Sequence, residues 1–308
     1  MSDPPRRPSI PVTPLSTPAA DAGAAATLRF PLKADAVAAV VKAALDEDAA
    51  HNDITTIATV HASARARAVL VARQSGVICG VPLALEAVRQ LDARGTIRID
   101  QTDGARVSPG TIILYLSGHA RGLLAAERVA LNFMQRLSGI ATLTAKFVAA
   151  VQGTRARILD TRKTTPGWRL LEKYAVRCGG GTNHRLDLGD AVLIKDNHLA
   201  AVGGDVQAAV QRARAIAAPG TKVEVECDRL EQVESAVAAG TDIVLLDNMT
   251  LDELREAVEL VDGRATVEAS GGVRLDTVRA IADAGVDWIS VGAITHSAPA
   301  LDLALDFE

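Results

Sequence analysis

The sequence predicts an α/β protein in two parts: a small α+β domain, then an open, incomplete barrel of alternating strands and helices. Three observations carry this. From Ile158 onward, short apolar runs end in a polar residue or a glycine, and amphipathic helices closed by glycine follow most of the later ones. The ends of the last four runs, Glu226, Asp247, Ser270 and Gly292, lie 21, 23 and 22 residues apart, the even beat of a βα barrel. Aromatic residues make up only 3% of the chain, so the core must be built from Ala, Val, Leu and Ile, which suits layered α/β packing better than a β-sandwich.

Residues 1–27 hold six of the twelve prolines and an alanine-rich stretch, without the apolar core of a signal peptide, and read as a disordered tail. Structure is expected from Leu28. Small and aliphatic residues at helical spacing predict a helix over Ala36–Leu45, and a run rich in Val and Ile predicts a strand over Ala66–Gly80. Pro82 opens a second helix reaching Ala93. The β-rich runs Thr96–Asp100 and Thr111–Ser117 are set apart by the turn pairs Asp103-Gly104 and Pro109-Gly110. A long helix is predicted over Arg121–Val151. Six barrel strands then follow: Ile158–Asp160, Ala191–Lys195, Val223–Glu226, Ile243–Asp247, Thr266–Ser270 and Trp288–Gly292. Helices are expected over Arg229–Gly240, Leu251–Gly263 and Leu275–Gly285. A closed barrel needs eight strands, hence the open form.

Composition narrows the function. A formal net charge of −4 leaves no basic surplus to neutralise phosphates, which excludes a general nucleic-acid binder. Cys79, Cys178 and Cys227 lie far apart with no CxxC, as reduced thiols of a cytoplasmic protein do. The six histidines show no metal-ligand spacing. No apolar run approaches the roughly 18–20 residues of a membrane span.

In βα barrels the working residues cluster at the C-terminal ends of the strands. Those ends are Thr161-Arg162-Lys163, Lys195-Asp196-Asn197, Glu226, Asp247-Asn248, Ser270-Gly271-Gly272 and Val291-Gly292-Ala293, so every strand delivers a charge or a glycine to one rim. Arg162, Lys163, Arg185 and Lys195, with His184 adjacent, make its first half cationic. Such charges repel one another and imply a polyanionic ligand or internal carboxylates. Glu226 and Asp247 end neighbouring strands; two hard oxygen donors there suit Mg²⁺ or ribose hydroxyls equally. Glu224 shares their face but lies deeper, placed to hold a cation. The glycine turns after the last two strands bring backbone N–H groups close to a ligand, as phosphate sites do. Gly179-Gly180-Gly181 needs either flexibility or a tight backbone approach, and with His184-Arg185 beyond it reads as a ligand-closing loop.

LDTRKTTPGWRLLEKYAVRCGGGTNHRLDLGDAVLIKDNHL (Leu159–Leu199) resembles the central motif of quinolinate phosphoribosyltransferases almost throughout. ERVALNFMQRLSGIAT (Glu127–Thr142), VEVE (Val223–Glu226), LLDN (Leu245–Asn248), EASGG (Glu268–Gly272) and VGAITHS (Val291–Ser297) match in order and spacing, so the resemblance covers about residues 40–308. The early acidic motif is kept only in part: Asp48 and Asp53-Ile54-Thr55 fit, with Asn52 where glycine is common.

The resemblance implies an N-terminal α/β sandwich (28–137) joined to an open α/β barrel of the type II phosphoribosyltransferase kind (138–308), with the extreme C-terminus packing back on the first domain. It implies the decarboxylating reaction of NAD biosynthesis: quinolinate and phosphoribosyl pyrophosphate give nicotinate mononucleotide, pyrophosphate and CO₂, with Mg²⁺. Arg128, Thr161, Arg162, Lys163, His184 and Arg185 are implied to bind quinolinate, Arg128 reaching in from the partner of a homodimer. Lys195, Glu226, Asp247, Ser270, Gly271, Gly272, Val291, Gly292 and Ala293 are implied to bind the sugar donor. Lys163, Glu226 and Asp247 form the implied catalytic set, the last two also as Mg²⁺ ligands. No side chain need form a covalent intermediate. A molybdenum-transport-associated homologue with another substrate is the rival reading, opposed by the retained TRKTTPG and NHR. DGARVSPGTIIL (Asp103–Leu114) resembles the hammerhead of biotinyl and lipoyl carriers, but residues 66–120 contain no lysine to carry a prosthetic group.

Overall fold

The computed structural model describes residues 28–308; the expected tail over 1–27 lies outside the described residues. The first part runs α1 (Ala34–Glu47), α2 (Ile54–Thr59), β1 (Arg65–Ala72), β2 (Gly76–Val77), α3 (Val81–Leu91), β3 (Thr96–Ile99), β4 (Arg106–Val107) and β5 (Ile112–His119). The long α4 (Ala120–Ala150) leads out of it. The second part runs β6 (Arg157–Leu159), α5 (Arg169–Cys178), β7 (Val192–Ile194), α6 (Asp196–Ala201), α7 (Val206–Ile216), β8 (Val223–Cys227) and α8 (Leu230–Ala238). It ends with β9 (Ile243–Asp247), α9 (Leu251–Val261), β10 (Thr266–Ser270), α10 (Val278–Asp283), β11 (Trp288–Ser290), α11 (Ala293–His296) and β12 (Leu303–Phe307).

The barrel sheet is parallel, ordered β6-β11-β10-β9-β8-β7, and its outer strands β6 and β7 do not pair, so the barrel is open as the strand count predicts. Strands β8, β9 and β10 send successive side chains to opposite faces. Val223, Val225, Val244, Leu246, Val267 and Ala269 are fully buried and face the helices, while Glu224, Glu226, Asp247, Glu268 and Ser270 occupy the opposite, inner face. That alternation aims the polar residues of the runs at one axis. Local signals end the helices where the sequence places them: Thr250 and Glu253 form a capping box on α9, and Gly240, Gly263 and Gly285 follow α8, α9 and α10 at φ of +74°, +69° and +95°.

Two features depart from the sequence reading. The strand expected over Ala66–Gly80 is broken: β1 stops at Ala72, after a register shift at Leu70/Val71 against β5, and β2 pairs instead with β4 as a separate ribbon. The helix expected over Leu275–Gly285, α10, starts at Val278 rather than Leu275, after a turn. The first part is an antiparallel sheet, β12-β1-β5-β3, in which the C-terminal strand lies at the edge beside β1. Helix α4 packs on α3, β1 and β5 along its first half and on α5 and β6 further on. At Gly139 an added Cβ would lie 2.1 Å from the Pro299 carbonyl oxygen, so only glycine lets the returning chain cross the helix there.

Candidate active site

The rim forms as the strand ends predict. Beyond β6, Thr161 Oγ1 accepts the Lys163 N–H at 3.1 Å and shapes the turn that carries both cations. Arg162 Nε is buried without a hydrogen-bond partner. Arg185 is 6% exposed, and its Nη1 donates to the Ala191 carbonyl at 3.2 Å. Burial and the neighbouring Arg162 guanidinium both pull its pKa down. Among the described residues, Arg162, Lys163 and Arg185 enter no ion pair. The alternative of internal carboxylates holds only for Lys195, which pairs with Glu226.

The side chain of Lys163 crosses Gly292 closely: a Cβ there would sit 3.2 Å from Lys163 Cδ and 3.2 Å from His296 Nε2. Gly292 therefore serves side-chain approach in the apo site, not only backbone access. Gly271, at φ +90°, is wedged over Asn248, whose Oδ1 would be 2.2 Å from a Cβ, while Asn248 N–H donates to Ser270 O at 3.0 Å. Gly272 faces open space. Ser270-Gly271-Gly272 and Val291-Gly292-Ala293 thus stand beside each other on β10 and β11, at one end of the sheet.

Glu226 pairs in register with Leu245, which puts Asp247 one same-face step higher on β9. Each carboxylate has a single protein partner: Glu226 Oε2 takes Lys195, and Asp247 Oδ2 takes the Asn248 amide at 2.8 Å. One oxygen of each stays available, and this diagonal pair of hard donors fits Mg²⁺ shared with ligand phosphates.

Beneath the rim lies a layer the sequence reading left mostly unassigned. Asp160 (0% exposed) and Lys173 (3%) form a buried ion pair. Asp160 accepts from Asn183 Nδ2 at 2.6 Å and from the His184 N–H at 2.9 Å, and Lys173 donates to the His184 carbonyl at 2.9 Å, so the pair clamps the Asn183-His184 backbone. Burial works against both charges, raising Asp160 and lowering Lys173. His184 Nε2 lies 3.3 Å from Glu224 and 3.4 Å from Glu268. Glu224 therefore faces the His184 imidazole and favours its charged form, the cation support expected of it.

Burial lowers the His184 pKa, but hydrogen bonds to Glu224 and Glu268 outweigh it and push it up to about 10. Nδ1 lies 2.7 Å from the Arg185 backbone nitrogen, while Nε2 faces the two carboxylates. Burial and the neighbouring Glu268 push Glu224 up to about 7. The ligand atoms of His184, Glu224 and Glu268 lie within 4.8 Å of one another, yet the trio does not suit a metal. Ligation through Nε2 would move the proton to Nδ1, against the Arg185 N–H.

The triglycine also departs from expectation. Gly179 is buried and Gly180 exposed, and a Cβ would lie 2.3 Å from Ala141 O at Gly179 and 2.7 Å from Thr144 Cγ2 at Gly181, so the first and third glycines serve tight packing on α4, while Gly180 takes the turn at φ +87°. Arg128 is exposed on α4 and touches no rim residue of its own chain among the described residues. Lys173, Glu268 and His296 were not legible as site residues: each reads locally as a helix or strand charge, and only membership in the LLEKYAVRC, EASGG and VGAITHS blocks marks them.

An open barrel with a cationic pocket and adjacent glycine turns defines a phosphoribosyl-transferring class of protein. Comparison with known proteins makes the assignment specific. Residues 140–306 match the quinolinate phosphoribosyl transferase C-terminal domain, and residues 53–138 match its N-terminal domain. The chain belongs to the quinolinate phosphoribosyltransferase family. It is 47% identical over 278 residues to a nicotinate-nucleotide pyrophosphorylase (carboxylating) of Mycobacterium leprae, covering 88% of this chain and 97% of that one. A probable enzyme of the same name from Bacillus subtilis is 41% identical over 260 residues, covering 84% and 89%. The solved nicotinate-nucleotide pyrophosphorylase of Francisella tularensis superposes with a TM-score of 0.85 at 40% identity, covering 91% of this chain and 98% of that one. Among the described residues no helix is long and apolar enough to cross a membrane.

Proposed function

We propose that this chain is a decarboxylating quinolinate phosphoribosyltransferase: quinolinate and phosphoribosyl pyrophosphate become nicotinate mononucleotide, pyrophosphate and CO₂, a step of NAD biosynthesis. The observation that carries it is the buried Arg185 beside the half-buried Arg162, both without an ion-pair partner among the described residues, with Lys163 next in the chain. Guanidinium groups bind carboxylates in bidentate fashion, and quinolinate brings two carboxylates to neutralise them. Thr161 and His184 border this pocket. Lys195, Glu226 and Asp247 take the pyrophosphate and ribose side, and Ser270-Gly271-Gly272 with Val291-Gly292-Ala293 offer backbone N–H groups to the 5′-phosphate.

The residues position and neutralise, and none need bond to the substrate. Held by its carboxylates, quinolinate presents its ring nitrogen to the anomeric carbon as pyrophosphate leaves toward Lys195 and Lys163. The electron pair left when the 2-carboxylate departs as CO₂ stays on ring carbon 2, stabilised by the adjacent positive nitrogen, until a solvent proton forms the C2–H bond. Mg²⁺, when bound at Glu226 and Asp247 with the donor's phosphates, supplies charge neutralisation for the leaving pyrophosphate. Arg128, solvent-facing on α4 and inside the ERVALNFMQRLSGIAT block, completes the dicarboxylate pocket of a second subunit, so the working form is a homodimer. The three buried free cysteines suit the cytoplasm.

The test is an absorbance assay with quinolinate, phosphoribosyl pyrophosphate and Mg²⁺, with nicotinate as control. Quinolinate is consumed with release of pyrophosphate and CO₂, and nicotinate is not. No turnover by folded dimer would overturn the reading in favour of a relative with another substrate.

A further inference from the structure

Helix α5 inverts the usual arrangement of an amphipathic helix. Leu170 is 41% exposed, while Glu172 is 0% exposed, Lys173 3% and Arg169 half-buried. Burying charges is costly unless each finds partners, and these three find theirs in the segments that carry the rim cations. Their spacing of i, i+3 and i+4 puts them on one face of the helix. Glu172 Oε2 accepts the Thr165 N–H at 3.1 Å and Oε1 the Thr165 hydroxyl at 2.8 Å, two residues beyond Lys163. Arg136 Nη2 donates to Glu172 Oε1 at 2.9 Å from α4 and fixes the carboxylate in turn. Lys173 Nζ donates to the His184 carbonyl, next to Arg185.

Arg169 is the member that reaches both segments. Its Nε donates to Thr164 Oγ1 and its Nη1 to the Leu186 carbonyl, each at 3.2 Å. Thr164 directly follows Arg162-Lys163, and Leu186 directly follows Arg185. One rigid, planar guanidinium therefore spans the two arms of the cationic pocket just past the residues that form it.

We propose that Arg169 is a positioning residue that sets the separation of Arg162 and Arg185, and so selects a ligand with two adjacent carboxylates. The inference rests on the dicarboxylate reading of the site and adds how the pocket measures its ligand. Arg169 acts through Thr164 and Leu186, not on the ligand itself. Two bidentate guanidinium–carboxylate contacts form together only when the guanidinium groups match the spacing of the ligand. A misplacement of about 1 Å can cost on the order of a hundredfold. A ligand with a single carboxylate needs one such contact and is indifferent to the spacing.

Binding and turnover are measured side by side in the wild type and in Arg169→Ala, Arg169→Lys and Thr164→Val. Calorimetry uses benzene-1,2-dicarboxylate as the non-reacting dicarboxylate and benzoate as the monocarboxylate. The wild type should bind the dicarboxylate more tightly. Arg169→Ala and Arg169→Lys should each lose most of that preference, roughly tenfold to a hundredfold, since lysine keeps the charge without the two-donor fork. In the quinolinate assay both should raise KM for quinolinate by a similar factor and leave KM for phosphoribosyl pyrophosphate within about twofold. Loss of folded protein alone would lower kcat and move neither KM. Thr164→Val removes one end of the bridge at constant shape; it should show a smaller loss, and adding it to Arg169→Ala should cost nothing further. Wild-type preference in Arg169→Lys, or full additivity of Thr164→Val with Arg169→Ala, overturns the positioning role. A wild type that binds benzoate as tightly as the dicarboxylate overturns the dicarboxylate reading instead.

Discussion

Arg162 and Arg185 stand together because the chain makes them: one follows β6, the other is held through the Ala191 carbonyl and the clamped His184 backbone. Truncating either leaves a substrate carboxylate without its partner. Arg185→Ala should weaken quinolinate binding by about 2–5 kcal/mol in calorimetry, the scale for breaking one side of a buried charge pair; unchanged affinity would mean that the residue is misassigned. Asp160→Asn acts one layer lower. It strands the Lys173 ammonium at 3% exposure, and should cost about 3–5 kcal/mol in urea unfolding. The rim cations were legible in the sequence because strand periodicity fixes which ends converge. The Asp160–Lys173 clamp was not, since an aspartate at a strand end and a lysine in an amphipathic helix each read as solvated charges.

At the scale of elements, Asp92 at the end of α3 bolts two segments together. Its carboxylate accepts the Arg94 N–H at 3.3 Å, the His119 N–H at 2.6 Å and His119 Nδ1 at 3.1 Å, tying the α3–β3 turn to the β5–α4 junction. Burial opposes the charge, but these hydrogen bonds prevail and hold the carboxyl below its usual range. A lowered folded pKa means stability that is present above the unfolded value near 3.8 and lost as pH falls through the folded one. Asp92→Asn should therefore be less stable than the wild type at pH 7, by about 1–3 kcal/mol, with the gap narrowing toward pH 3 in thermal melts. A gap independent of pH would assign the loss to packing. The sequence located α3 and both flanking strands here but not this bolt, because partners 27 residues apart carry no local signature. The five residues of β12 carry no local sign of a place beside β1 either, and only the family resemblance implied that the C-terminus packs back on the first domain.

For the whole molecule the decisive residue of the proposed homodimer is Arg128, which is exposed on α4. The even beat of strands makes one barrel legible from sequence, but a site shared between two copies has no periodicity to betray it. Sharing has a consequence that a monomeric site cannot imitate. In the proposed homodimer Arg128→Ala disables the pocket of the partner, whereas Arg185→Ala disables the pocket of its own chain. Each variant alone should show little turnover. When the two are unfolded together, mixed and refolded, the mixed dimers contain one pocket with both lesions and one with neither. Random pairing then restores about a quarter of wild-type activity per subunit, read in the quinolinate assay against each variant refolded alone. Absence of recovery, with mixed dimers demonstrated by mass, would place Arg128 outside the site and make each subunit's pocket complete by itself.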